Sequence, residues 1–477
     1  VSAVFSGLFV AYVLNYYLRS SRRYLPPGPI GFPFVGNALS FLHKERFFTT
    51  CESYGLSPHL PPIFCSMKPS FAGDIVYVNL AGQPAVILNS QRVAADLLDR
   101  RAMNYSGRPR SIVASQLMCR GLHLALDGHT ARWRRMRRAV HEAFGPSAAG
   151  SYHAMESEEA ARLALAIAHD TQATTLGHYA NHYLHFTASS ILAITYDRPL
   201  RTAADEEIVK TVERMAAKLV HAATPGSHLA DLFPWMLAIP DRFAKWKRDA
   251  LAWHARVSDY FDGLVAEVKA RMAKGEARSC LVRSLVEDKE RFELSDAETS
   301  WAAGMIAAGV ETQTMTFEWF TFAMVCHPDI QRRAQAELDA VIGRGRAPRV
   351  ADRDHLPFLS ALVREVLRWK PAAPLGVPHM SEEDDWYRGF FIPRGSLCIV
   401  NVRACHSDPE VYGEDAAQFN PRRHLDEKGQ LRPAPADTKN EGHVGFGFGR
   451  RICVGRYVAN DNLFAAMAAI LWAFNLE

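Results

Sequence analysis

One cysteine in a glycine-rich loop constrains this chain more than any other feature of its sequence. The loop, HVGFGFGRRICVG, runs from residue 443 to 455, and an apolar helical pattern follows directly. Gly449 and Gly455 let backbone amides approach closely, and the positive end of the following helix would stabilise a thiolate at Cys453. We therefore expect Cys453 to be a deprotonated metal ligand.

Arg451, two positions before the cysteine, indicates which metal group the loop could hold. Its guanidinium group keeps its charge and presents a planar fork of donors, which suits a carboxylate such as a porphyrin propionate. This combination predicts a haem cradle. Considered alone, a cysteine is more often a small buried apolar residue than a ligand.

Five loop positions together favour the haem interpretation. Phe446, Gly449, Arg451, Cys453 and Gly455 fill the pattern F-x-x-G-x-R-x-C-x-G, which resembles the haem loop of the cytochrome P-450 superfamily. The resemblance implies haem b (iron protoporphyrin IX), with Cys453 as the proximal iron ligand.

Length and composition agree with a large globular enzyme. The chain has 477 residues, of which 48% are hydrophobic and 22% charged, and its net charge of +4 is too small to indicate a nucleic-acid partner. Its eight cysteines form no C-x-x-C pair, so neither a zinc site nor a disulfide framework is suggested. Length alone would suggest several domains, but no linker or repeat divides the chain, and we expect one domain over residues 34–477.

The N-terminal segment predicts a membrane anchor. Residues 1–18 are uncharged and mostly apolar, close to the ~20 residues that a spanning helix needs. The next residues, 19–33, form a basic and proline-rich hinge, and basic residues beside a span tend to stay cytosolic. We expect a single-pass signal anchor in the endoplasmic reticulum membrane with a cytosolic catalytic domain. A cleaved signal peptide is the alternative.

The periodicity of the remaining chain predicts a mainly α protein with a small β portion. Runs at 74–82 and 84–89 predict a hairpin, and short strands are expected near 387–392 and 397–401, in a mostly antiparallel sheet. The resemblance implies the P-450 fold, with its C-terminal strands expected to be missing because the chain stops soon after the loop. Helices are predicted at 130–145, 152–170, 203–222, 240–275, 297–326, 328–342 and 356–370.

The apolar stretch PWMLAIP at 234–240 is bounded by prolines and followed by basic residues. It is either an exposed loop that dips into the membrane or a turn in the core, and its basic neighbours favour the membrane. The family resemblance would make it the lid of the substrate channel.

Glu365 and Arg368 lie three residues apart on a predicted helix, so their side chains share a face. A solvated ion pair is the plain interpretation, but apolar neighbours indicate burial. The E-x-x-R spacing resembles the second P-450 signature, and Arg423 in FNPRRH matches its third member. Arg422 and His424 replace the family's usual acidic and aromatic residues. The resemblance implies a structural triad that braces the haem loop.

The helical stretch from 301 to 319 contains AGVET, which resembles the oxygen-activation motif of the family. A hydroxyl at Thr312 can bond the carbonyl of Ala308 and open a local groove. With Glu311 it would form a proton relay, and these two residues are the predicted catalytic pair. Gln313 stands where a hydroxyl residue is common. A tightly packed helix weakened by glycine is the alternative.

Trp133 and Arg137 lie four residues apart on an arginine-rich helical pattern. A solvated basic face is the plain interpretation. The W-x-x-x-R spacing resembles the propionate-binding helix of the family, and His379 matches a third propionate donor. The remaining arginines would face outward and dock an acidic electron-transfer protein.

The sequence thus predicts a haem-thiolate monooxygenase that hydroxylates or epoxidises an apolar small molecule with O₂. Electrons would come from a separate NADPH-cytochrome P-450 reductase, with cytochrome b5 as a second candidate donor, and fungal secondary metabolism is the expected context. A haem-thiolate isomerase or dehydratase, and a truncated non-catalytic haem protein, are the alternatives. The residues predicted to line the substrate pocket are Ile112, Val113, Leu117, Met118, Ala308, Leu375 and Val377.

Overall fold

A computed structural model of the chain describes residues 24–29, 31, 36–37, 73–170, 176–201, 206–224 and 226–477. The predicted anchor at 1–18 lies outside these residues, as does most of the predicted hinge. Among the helices of the described residues, none combines the length and the apolar character that a membrane span requires.

The described residues belong to two compact units, which we describe separately. The sheet unit comprises the described residues of Val1–Pro109, together with Ala373–Ala416 and Gly447–Ile452. The helical unit comprises Arg110–Ala372, Ala417–Phe446 and Cys453–Glu477. The boundaries predicted from the sequence, including the single domain over 34–477, stay predictions.

The sheet unit contains a four-stranded mixed sheet in the order β1-β2-β6-β3. The predicted hairpin is confirmed, with its turn at Ala81 and Gly82, both of which have positive φ. Strand β2 pairs in parallel with β6, whereas β3 pairs antiparallel with β6 and β4 with β5. The strands are β1 Ile75–Leu80, β2 Gln83–Leu88, β3 His379–Met380, β4 Asp385–Tyr387, β5 Phe390–Ile392 and β6 Leu397–Val400.

Helices make up most of the described structure. They are α1 Gln91–Ala95, α2 Ala131–Phe144, α3 Pro146–Ala149, α4 His153–His169, α5 Leu176–Tyr196, α6 Glu206–Ala223, α7 Leu229–Leu232, α8 Lys245–Ala273, α9 Leu281–Glu287, α10 Lys289–Phe292, α11 Asp296–Gly304, α12 Gly309–Cys326, α13 Pro328–Val341, α14 Pro357–Trp369, α15 Val402–His406, α16 Pro409–Tyr412 and α17 Arg456–Ala473.

Short segments of other helical types connect these elements. π-helical turns cover Asp96–Arg100 and Ile112–Met118, and 3₁₀ turns cover Gly150–Tyr152, Pro234–Ala238, Asp241–Phe243, Met305–Ala308, Val350–His355, Pro421–His424 and Gly449–Arg451.

Helix α17 lies at the centre of the helical unit and begins immediately after the cysteine loop. Most of its side chains are buried, because it packs along α4 and also against α12, α13 and α14. A helix that is apolar on nearly all sides has to lie inside a core. The position of the loop is therefore set by a helix that the core holds on several sides.

All seven helices predicted from periodicity are present, within a few residues at each end. The predicted helix at 297–326 is interrupted, because its residues Met305–Ala308 form a 3₁₀ turn between α11 and α12. Helix α5 was missed. It packs against both α4 and α12, so its apolar residues do not gather into the single stripe that sequence periodicity detects.

Candidate haem site

The cysteine loop is held by its own backbone. In the helical unit, the amide of Cys453 donates to the carbonyl of Phe446 at 2.8 Å, and the amide of Gly455 donates to the Cys453 sulfur. In the sheet unit, Gly449 has φ +56°, and a Cβ there would collide with the carbonyl oxygen of Leu98. Only glycine fits this position without strain.

The Cys453 side chain is accessible, yet protein surrounds it on most sides. It is exposed to solvent, while burial is the largest influence on its pKa and raises it above the ordinary value. The Gly455 amide and the charges of Arg137 and Arg456 act in the opposite direction. Burial thus opposes a free thiolate at Cys453, whereas these local groups favour one. A metal ion bound to sulfur displaces the proton outright.

Three cationic or ionisable donors gather inside the sheet unit. Arg108, His379 and Arg451 are each less than 9% exposed. Burial, and then repulsion by Arg451, lower the pKa of Arg108 to about 9. Arg108 donates to the carbonyls of Val377 and Pro378 at 2.7 and 2.8 Å. Because buried like charges repel, an anionic group placed beside them would be stabilised. Sequence reasoning missed Arg108, since no motif marks it.

His379 is neutral in this arrangement. Burial and the charges of Arg108 and Arg451 lower its pKa to about 3. Its Nδ1 lies 2.8 Å from the carbonyl oxygen of Tyr105, which can only accept, so the single ring proton is on Nδ1. Donation from Nε2 to a propionate would need a second proton, which the negative charge of that propionate would favour. Its role as a propionate donor stays a prediction.

In the helical unit, Arg137 on α2 is close enough to Cys453 for the two to influence each other's pKa. Burial lowers the pKa of Arg137 to about 10, while the cysteine raises it. Trp133 is buried one turn earlier, and its indole N–H donates to the carbonyl of Leu124 at 2.7 Å. The structure thus gives the indole an internal acceptor, and its predicted bond to a propionate stays untested.

The other arginines of α2 divide into two groups. Arg135 lies 3.0 Å from Glu298 and Arg132 lies 3.6 Å from Asp127, so these two make internal ion pairs. Arg134 and Arg138 are exposed. The outward basic face is therefore smaller than the sequence suggested.

The predicted triad forms a tightly bonded buried cluster. Arg368 donates to both carboxylate oxygens of Glu365 at 2.8 and 2.7 Å, and Arg423 donates at 3.1 Å. His424, which sequence reasoning regarded as a departure from the pattern, lies 3.0 Å from the same carboxylate. Burial alone would raise the pKa of Glu365, but hydrogen bonds from Arg368 and His424, with their charges, lower it to about 2. The carboxylate joins α14 to the segment 420–424.

Helix α12 carries the predicted catalytic pair. The Thr312 hydroxyl is exposed and donates to the carbonyl of Gly309 at 3.2 Å, not to Ala308 as predicted. The 3₁₀ turn that ends at Ala308 changes the backbone geometry just before this position. Burial, and then repulsion by Glu213, raise the pKa of the Glu311 carboxyl. Gln313 is buried and accepts a hydrogen bond from Asn462 at 3.2 Å.

The predicted substrate-lining residues differ in accessibility. Val377 is 43% exposed, and the side chain of Ala308 lies outside the described side chains. The backbone amides of Ile112 and Val113 donate to the carboxylate of Asp231, at 2.5 and 3.3 Å. Whether these residues contact substrate stays a prediction. The predicted substrate-lining residues that are buried in apolar clusters are Ile112, Val113, Leu117, Met118 and Leu375.

The segment 234–240 lies at the surface, with Met236 and Leu237 partly buried against an apolar core cluster. Trp235 is 69% exposed, and the nearby Phe243 is 71% exposed. The basic side chains that follow belong to the start of α8, where Lys247 pairs with Asp241 at 2.7 Å. No side chain of Pro234–Ala238 is fully buried, which favours the surface loop over a turn inside the core.

The donors found in each unit fit a haem group. The helical unit offers a sulfur ligand with an arginine beside it, and the sheet unit offers buried cations that an anionic carboxylate would stabilise. Within the helical unit the sulfur suits the haem iron. Within the sheet unit the buried cations suit a haem propionate.

Comparison with known proteins decides the family. The sequence model of cytochrome P-450 matches residues 26–477 of this chain. The chain belongs to the cytochrome P-450 family. Its members bind haem through a cysteine thiolate, use O₂ and redox-partner reductases, and act as monooxygenases on small molecules.

Several fungal P-450s are similar along almost the whole chain. A cytochrome P-450 monooxygenase of Armillaria gallica is 46% identical over 469 residues, covering 98% of this chain and 86% of that protein. Cytochrome P-450 monooxygenase 58 of Postia placenta is 41% identical over 462 residues, covering 96% and 83%. Cytochrome P-450 monooxygenase iboC of Amanita muscaria is 35% identical over 516 residues, covering 99% and 87%.

Proposed function

We propose that this P-450 hydroxylates or epoxidises an apolar small molecule in fungal secondary metabolism. One atom of O₂ enters the product and the other leaves as water, with electrons from a separate NADPH-dependent reductase. The observation that carries the proposal is the Cys453 thiol, held by backbone bonds of its loop with the Arg137 charge nearby. The similar fungal proteins named as monooxygenases support the same reaction class.

When bound, the haem supplies the redox chemistry that activates O₂, and the chain positions it. Cys453 would be the iron ligand, and its electron-rich sulfur favours O–O cleavage. Arg108 and Arg451 in the sheet unit, and Arg137 in the helical unit, are the guanidinium groups suited to the propionates. Arg451 is itself held by a bond from its Nε to the carbonyl of Ser106 at 2.9 Å.

Proton supply is assigned to α12. The raised pKa of Glu311 means that its carboxyl holds a proton at a higher pH than an ordinary glutamate, which suits it to donate one. The Thr312 hydroxyl is exposed on the same helix and can both accept and donate. Together they can move a proton from the Glu311 carboxyl through the Thr312 Oγ1 to a substrate pocket.

Replacement of Thr312 by valine tests the proton assignment. Reconstituted with a fungal reductase and an apolar substrate selected by its shift of the Soret band, Thr312→Val should release more peroxide per NADPH consumed. Thr316→Val is the matched control, because Thr316 makes a similar intrahelical bond at 2.8 Å but is buried. Equal coupling of NADPH to product in Thr312→Val and wild type would refute the assignment. Turnover without reductase would favour the isomerase or dehydratase alternative.

A membrane location is supported by the exposed aromatic residues near α8. Trp235 and Phe243 lie beside a basic helix start, an arrangement suited to an interface with anionic lipid. We expect a version without residues 1–23 to sediment with anionic liposomes, and Trp235→Ser with Phe243→Ser to reduce that binding severalfold. Met103→Ser is a control, because Met103 is also exposed, at 64%, in the sheet unit. Equal binding by all three proteins would contradict this part of the proposal.

A further inference from the structure

A fully buried carboxylate on α4 has no hydrogen-bond partner within the described part of the chain. Glu156 has no accessible surface, and neither of its carboxylate oxygens has a partner among the residues that the structure describes. Burial, and then repulsion by Asp461, raise its pKa well above the usual range. Such a group is rare in folded proteins and calls for a cause, one of which is a bound ion.

Two other metal-ligand side chains face this carboxylate. His153 lies one turn earlier on α4, and Asp461 lies on α17. The Nε2 of His153 is 3.1 Å from an Asp461 oxygen, and one ligand atom from each of the three residues lies within 4.8 Å of the others. The side chains thus converge from two packed helices.

The surroundings of the cluster hold one ligand in place and leave an entry path. Arg353 pairs with the Oδ1 atom of Asp461, which leaves the Oδ2 atom directed to His153. A bond from the other Arg353 nitrogen to the carbonyl of Asn460, at 2.8 Å, fixes the guanidinium. The His153 side chain is 38% exposed and lines a cavity of about 700 Å³ together with Arg353 and Asp461. A hydrated ion can reach the cluster through this cavity.

We propose that His153, Glu156 and Asp461 bind a divalent transition-metal ion such as Zn²⁺, separately from the haem iron. One imidazole nitrogen with two carboxylate oxygens is a known ligand set for zinc, and the cavity would supply a water as the fourth ligand. Zinc ligands at about 2.0–2.2 Å stand roughly 3.3 Å apart, which small side-chain rotations would achieve here. The imidazole disfavours Mg²⁺ and Ca²⁺, which prefer oxygen ligands.

The ion would connect α4 to α17, the helix that follows the haem ligand. With two carboxylates and the Arg353 guanidinium, the cluster has a net charge of −1 when both acids are ionised and the histidine is neutral. A divalent cation would give one of the Glu156 oxygens a partner, whereas neither oxygen has one among the described residues. Its binding to the folded chain would also raise the thermal stability of the protein.

Zinc binding to the full-length holoenzyme tests the proposal. Chelator-treated protein is dialysed against ZnCl₂, and zinc and iron per chain are counted by mass spectrometry. A Cys326→Ser background removes an exposed thiol that could bind zinc elsewhere. Wild type should bind one more zinc ion per chain than Glu156→Gln. The zinc affinity of wild type should be about tenfold or more higher than that of Glu156→Gln. Zinc should raise the thermal midpoint of wild type but not that of Glu156→Gln.

Two further variants make the result decisive. Glu158→Gln is the matched control, because Glu158 is on the same helix but exposed and paired with Arg162 at 2.8 Å, and it should bind zinc like wild type. His153→Ala removes a ligand that is partly exposed, so this variant should fold. Its zinc binding tests the proposal even if Glu156→Gln does not fold. Zinc binding in His153→Ala or in folded Glu156→Gln equal to that of wild type would overturn the proposal.

Discussion

The buried Glu365 cluster allows a quantitative prediction. The change Glu365→Gln keeps the shape of the side chain but removes the negative charge that faces Arg368 and Arg423. Glu365 and Arg368 are at most 1% exposed, and Arg423 is 7% exposed. Water cannot solvate the two arginines that remain. The decrease in the free energy of unfolding should therefore approach that caused by breaking a buried ion pair, about 3–5 kcal/mol.

The pKa of Glu365 gives a second value for the same quantity. Its pKa is lowered from 4.5 to about 2, since the hydrogen bonds and charges of Arg368 and His424 outweigh the effect of burial. A folded-state pKa below the unfolded one stabilises the protein above pH 4.5, and this stabilisation is lost as the pH falls towards 2. The shift corresponds to about 3 kcal/mol at pH 7, and the contribution decreases to about 1 kcal/mol at pH 3.

Urea unfolding followed by far-ultraviolet circular dichroism checks both values. At pH 7, Glu365→Gln should lower the free energy of unfolding by about 3 kcal/mol, and the gap to wild type should narrow between pH 5 and pH 3. Glu158→Gln, which breaks an exposed ion pair, should cost less than about 0.5 kcal/mol. A loss below about 1 kcal/mol for Glu365→Gln at pH 7, or a gap that does not change with pH, would refute the reasoning.

Three other changes give separate tests. Gly449→Ala places a side chain at φ +56° against the Leu98 carbonyl, so the haem content per chain should fall. The control Gly128→Ala should keep the haem content of wild type, because an added Cβ there meets nothing within 4 Å. Asp231→Asn weakens the acceptor of the Ile112 and Val113 amides. A loss of about 1 kcal/mol in the local stability of this turn should speed amide hydrogen exchange at 112–118 about fivefold. Unchanged exchange would contradict the role of Asp231 in holding these amides. Arg108→Gln removes a charge suited to a propionate, so haem transfer to apomyoglobin should be about tenfold faster, and an unchanged rate would exclude that contact.

Local patterns predicted those parts of the structure that depend on residues near one another in the chain. The i, i+3 spacing of Glu365 and Arg368 is enough to place both on one helix face, and the structure joins them at 2.7 Å. The hairpin of β1 and β2 likewise follows from two neighbouring β-rich runs, although its turn, at Ala81 and Gly82, lies inside the first predicted run, 74–82. The helical periodicity at 130–145 and 356–370 identified α2 and α14 for the same reason.

Features that depend on tertiary packing were missed. Arg108 has no motif, and its proximity to Arg451 arises from segments more than 300 residues apart in the chain. His424 appeared to be a departure from a pattern, yet its ring lies against the Glu365 carboxylate in place of an aromatic side chain. The burial that raises the pKa of the Cys453 thiol likewise has no local sequence signal.

The central claim is that Cys453 is the iron ligand, and the spectrum of the reduced, carbon-monoxide-bound protein tests it most directly. Wild type should show the strongly red-shifted Soret band of a thiolate-ligated haem. Cys326→Ser, which removes an exposed thiol elsewhere, should keep this band, and Cys453→Ala should lose it. A red-shifted band that persists in Cys453→Ala, or its absence from haem-loaded wild type, would contradict the account.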